Sequence, residues 1–126
     1  MKIQVEVSLG ELVDKLTILE IKIEKISDKF KKENAQKEHD SLSLSFNSLQ
    51  LVGMEVYREQ LKQVNLLLWD IEDAIRLKEN KEQFDQDFIQ LARSVYETND
   101  KRFDIKNKIN HHYGSLVKEV KSYEKY

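Results

Sequence analysis

"SLGELVDKLTILEIKIEKISDKF", Ser8 to Phe30, decides the fold class. Leu9, Leu12, Leu16, Leu19, Ile23, Ile26 and Phe30 recur at alternating intervals of three and four residues, a coiled-coil-like seam reaching about Lys32. Ser8 and Glu11 spell a capping box, in which the hydroxyl accepts from the N–H three residues on and the carboxylate reaches back. Ile18 and Ile21 lie on the far side of the stripe. This helix is therefore expected to bury two faces, as a central or dimer-forming helix does.

Upstream, "KIQVEVS" alternates Ile3, Val5 and Val7 with Lys2, Gln4 and Glu6, the period of a half-buried strand. A strand needs a partner, and the internal candidates are "LSLSF" (Leu42 to Phe46) and the tail around "SLVKEV". A second copy of the chain is the other candidate. Downstream, the polar, ambiguous segment from Lys31 to Gly53 reads as helix, continuous with or just after the first. A second seam follows through Tyr57, Leu61, Val64, Leu68, Ile71 and Ile75. A third runs through Phe84, Phe88, Leu91, Val95, Thr98, Arg102, Ile105 and Ile109, with Gly114 as a stop.

The expected fold is all-α: an antiparallel bundle of three long helices with a short N-terminal β-strand, completed by oligomerisation. The boundaries are residues 1–7 for the strand and 8–32, 55–79 and 83–110 for the helices, in a single domain over 1–126. A chain of 126 residues has material for one modest core.

Composition removes whole classes of function. Acids and bases nearly cancel at a formal net charge of -2, and no run of Lys or Arg exceeds two residues, so the basic footprint of a nucleic-acid binder is missing. With no cysteine, disulfides and thiolate metal sites are excluded. No stretch of about 18 apolar residues occurs and the first residues alternate, so neither a membrane span nor a secretory leader is expected, and the location is read as cytoplasmic. Lysine outnumbers arginine 17 to 4, which makes each arginine more telling than a lysine.

The candidate site comes from polar residues on apolar stripes. At about 100° per residue, Glu20 falls on the seam of the first helix and Glu72 beside Leu61 and Leu68, with Asn65 and Arg76 near it. Asn99 and Arg102 fall within the apolar arc of the last helix. Glu20, Glu72, Asn99 and Arg102 are thus expected to form a buried polar cluster. It is either a structural network in which the two glutamates satisfy Arg102, or a ligand site. Histidine metal sites are disfavoured, because no His lies three residues after a Glu.

These features favour a non-enzymatic binding or scaffold protein, homo-oligomeric, with a protein partner allowed and no cofactor. An alternative is an all-α nucleotide pyrophosphohydrolase-like enzyme. It would hold Mg²⁺ on Asp70, Asp73, Glu97 and Asp100, acids three apart on facing helices. A further alternative is an anion-binding module centred on Arg102.

"VSLGELVDKLTILEIKIEKI" (Val7 to Ile26), "LWDIEDAIRLKE" (Leu68 to Glu79) and "FIQLARSVYETNDKRFDIKNKIN" (Phe88 to Asn110) resemble an uncharacterised family of small bacterial proteins, with relatives expected in phages of marine cyanobacteria. The resemblance spans Val7 to about Tyr123, with the middle around Lys31 to Gly53 variable. It implies a self-standing domain and assigns no activity, substrate or catalytic residue.

Overall fold

A computed structural model describes residues 1–125, and it is all-helical. Four helices follow in order: α1 (Leu9–Lys25), α2 (Lys29–Ser48), α3 (Met54–Asn80) and α4 (Gln86–His112). The expected three helices and N-terminal strand are thus corrected on both counts. Residues 1–7 form no ladder among the described residues, and the single helix expected over 8–32 is broken in two.

The break has a local cause. Ile26 is extended at the C-cap of α1, and the Asp28 carboxylate accepts from the Lys31 N–H at 2.9 Å, capping α2. Phe30, the last residue of the sequence stripe, then lies beyond the turn and is exposed. At the other end of α1, Ser8 Oγ accepts from the Glu11 N–H at 3.1 Å, but the Glu11 carboxylate does not close the box. It pairs with Lys106 instead.

α1 packs on all three other helices, whereas α2 packs mainly on α1, with Phe46 reaching the core beneath Arg58 of α3. Antiparallel hairpins α1–α2 and α3–α4 make up the bundle, the second closed by Lys78–Asp85 at 2.8 Å and by Asp85 capping α4. One buried cluster gathers Val13, Met54, Leu61 and Ile109, with Leu9, Tyr57, Ile105 and Tyr113 packed around it. At about 1.5 Å rise per residue, the 17 residues of α1 cannot cover the 27-residue α3 and α4. Their far halves form a two-helix arm with Leu77, Phe84 and Ile89 exposed. No described helix is long and apolar enough to cross a membrane.

After Gly114 the chain returns along α4 without regular structure. Glu119 Oε1 lies 3.1 Å from Lys106 Nζ, and Lys121 pairs with Asp100 while lying over the Phe103 ring.

Candidate functional site

The site is built on the second face of α1. Asp14 lies within about 20° of Ile21 and about 40° of Ile18 around the helix, and it is 0% exposed. Its Oδ1 accepts from Arg102 Nε and from Asn65 Nδ2, each at 2.9 Å, and its Oδ2 accepts from Arg102 Nη2 at 2.5 Å. Asn65 also donates to Thr17 Oγ1 at 2.9 Å, and the Thr17 hydroxyl donates to the Asp14 carbonyl at 2.8 Å. A two-pronged guanidinium–carboxylate pair of this kind fixes orientation as well as charge. Its hydrogen bond to Asp14 raises the Arg102 pKa, so the guanidinium is held charged.

Sequence reasoning found Arg102 and misassigned its partners. Glu20 faces α2 and α3, where it pairs with Arg58 and with Lys62 Nζ at 3.4 Å, and where His39 Nε2 lies 3.7 Å away. Glu72 pairs with Arg76 one turn along its own helix. Asn99 lies on the edge of the site, its Oδ1 3.5 Å from Arg102 Nη1. The sequence reading leaves Asp14, Thr17 and Lys106 out of the cluster and places Asn65 beside Glu72 rather than with Arg102. Asp14 could have been found from its place between Ile18 and Ile21, the pair that marks the second buried face.

One turn along α4, Lys106 threads its stem through the packing and is 5% exposed, with Nζ 2.8 Å from Glu11 and 3.1 Å from Glu119. Burial pushes this amine down, but the hydrogen bonds it donates to Glu11 and Glu119 and the charge of Asp14 outweigh it and raise the group.

For Glu20, partial burial raises the carboxyl, while the Arg58 hydrogen bond and the charges of Arg58 and Lys62 lower it further, below its ordinary value. A depressed carboxyl gives stability that is present above its unfolded pKa and lost as pH falls through the folded one. Glu20→Gln is expected to cost about 1–2 kcal/mol at pH 7, discounted for partial exposure. Urea titrations at pH 7 and pH 4 should show a shallower acid loss in the variant, and an unchanged acid slope would argue against this pairing.

Arg102 is also where a cleft opens. A cavity of about 370 Å³ lies between α1, α3 and α4, floored by Ile18, Ile21, Leu68 and Trp69, with Asn65 and Arg102 at its inner end. Glu72, Asp73 and Arg76 form its rim. This size falls in the range of small-molecule sites, roughly 300–1,000 Å³. A second, more polar cavity of about 350 Å³ lies on the other side of Arg102, under the C-terminal tail, between Phe103, Lys106, Glu119 and Lys121.

The acids of the magnesium alternative do not assemble. Asp73 rims the apolar cleft, Asp100 is paired with Lys121, and no group of three or more His, Asp or Glu among the described residues is placed to hold a metal. Both oxygens of Asp14 are occupied by Arg102 and Asn65.

The fold and site together define a four-helix domain in which a carboxylate buried on the central helix holds a guanidinium at the inner end of an apolar cleft. The chain belongs to the family of unknown function DUF6165, whose model matches residues 1–126. No curated protein and no solved structure matches it.

Proposed function

We propose that this chain is a non-enzymatic binding domain, and that the cleft between α1, α3 and α4 takes a small organic anion with an apolar, aromatic-sized body. One observation carries the reading. Arg102 is fixed by Asp14 through Nε and Nη2, while Nη1 has a single 3.5 Å contact to Asn99, and its side chain keeps 26% exposure where the apolar floor begins. A guanidinium pre-oriented in this way loses little freedom on binding. Trp69, Leu68, Ile18 and Ile21 supply the surface for an apolar body.

Trp69 is the only tryptophan, so its emission reports on the cleft directly. Titration with naphthalene-1-sulfonate is expected to quench it saturably with a Kd below about 1 mM, and naphthalene-1-methanol is expected to bind at least about tenfold more weakly, a difference of about 1.4 kcal/mol. Ile18→Phe, which crowds the cleft without adding a second indole, should weaken the response at least about tenfold. Equal binding of the two probes would make Arg102 purely structural, and no saturable change up to about 5 mM, some 3 kcal/mol of affinity, would sink the site.

A further inference from the structure

We infer that residues 2–6 form an intermolecular strand, pairing antiparallel about Gln4 with the same residues of a second copy of this chain. The starting point is an unsatisfied element. Residues 1–7 run on without helix, turn or bend, and Ile3 and Val5 are 78% and 71% exposed. An alternating apolar row with unpaired backbone groups is a template for strand addition.

Neither internal candidate pairs with it. Leu42 to Phe46 lies within α2, where the backbone groups are used in the helix. The tail around Val117 to Val120 is strapped to α4 through Glu119–Lys106 and Lys121–Asp100. Neither internal candidate forms a ladder with residues 1–7 among the described residues, and a second copy is the other candidate.

The sequence suits it. In an antiparallel pair about Gln4, Lys2 stands opposite the partner's Glu6 and Glu6 opposite the partner's Lys2. On the other face, Ile3 meets the partner's Val5 and Val5 meets the partner's Ile3. Opposite charges and β-branched pairs directly across a ladder are favourable. Parallel pairing in register would set Lys2 against Lys2 and Glu6 against Glu6, which is unfavourable. The antiparallel pair is also self-complementary, as a two-fold interface requires. A ribbon of two short strands is marginal in water, so a weak, concentration-dependent dimer is expected.

The absence of cysteine allows a register-specific test on the full chain, since one introduced thiol is the only one present. Under mild oxidation Gln4→Cys is expected to form a disulfide-linked dimer at least about tenfold faster than Lys2→Cys or Glu6→Cys alone. Residues across a ladder have Cβ atoms about 5 Å apart, whereas position 2 lies about 13 Å along the ribbon from its own copy. Mixing Lys2→Cys with Glu6→Cys should yield the heterodimer. Adding Lys2→Glu to Gln4→Cys should slow cross-linking several-fold, and adding Glu6→Lys as well should restore it. Equal rates at positions 2, 4 and 6, whether from random collision or a parallel pair, would overturn the inference. All these positions precede α1, so unchanged helical circular dichroism separates a lost interface from a lost fold.

Discussion

Arg102→Met is expected to lower the unfolding free energy by about 3–5 kcal/mol at pH 7, the cost of leaving a buried charge without its partner. The size follows from the asymmetry of the pair. Arg102 is partly exposed and could be hydrated alone, but Asp14 is fully buried and would keep only the Asn65 amide as a donor. The matching prediction separates this pairing from ordinary packing loss. Asp14→Asn combined with Arg102→Met removes both charges with little change of shape at Asp14, and should recover at least about 1.5 kcal/mol of the single-variant loss. Chemical denaturation of wild type, both single variants and the double variant closes the cycle. If Arg102→Met costs less than about 1 kcal/mol, it is no more than a surface ion pair, and the anchored guanidinium of the proposed binding site goes with it.

The same pair shows how far the sequence could be read. That Arg102 lies on an apolar stripe was legible, because it follows from the helical period alone. Its partner was not, because that depends on which face of α1 meets α4. The stripe through Leu9, Leu16 and Ile23 pointed to Glu20, which lies about 120° from Asp14 around the helix. α4 packs on the Gly10 and Asp14 side. The break after Lys25 was missed for a related reason. Ile26 and Phe30 continue the three-and-four spacing, while the turn uses an Asp cap and no Gly or Pro, so the periodic signal passed over it. The alternation of residues 2–7 is plain in the sequence, yet their partner within the chain does not exist among the described residues. Local chemistry is written in neighbouring letters; the pairing of faces is settled by packing between residues about 90 apart.

Gly10→Ala tests that packing at its tightest point, and its sign is decided by two opposed magnitudes. In a helix, alanine is favoured over glycine by up to about 1 kcal/mol. At Gly10, however, a Cβ would lie 2.6 Å from the Lys106 carbonyl oxygen and 3.0 Å from its Cα, both backbone atoms that cannot swing aside. α1 and α4 would have to separate, and overpacking of that kind costs typically about 1–3 kcal/mol or more. The separation would also stretch the 2.7 Å hydrogen bond by which the Gly10 N–H, in the unsatisfied first turn of α1, donates to the buried Asn110 Oδ1. One turn further along α1 it would strain the fork between Asp14 and Arg102. A net loss of about 2 kcal/mol is expected, which for a domain of this size lowers Tm by about 6–12 °C. Gly114→Ala is the control, since nothing lies within 4 Å of its Cβ and only its φ of +65° opposes the change, at about 1–2 kcal/mol. Because Gly10 holds the helices at the distance the Asp14–Arg102 pair requires, Gly10→Ala should also weaken naphthalene-1-sulfonate binding, while Gly114→Ala should leave it unchanged. A Gly10→Ala protein as stable as wild type would show that α1 and α4 do not cross this closely.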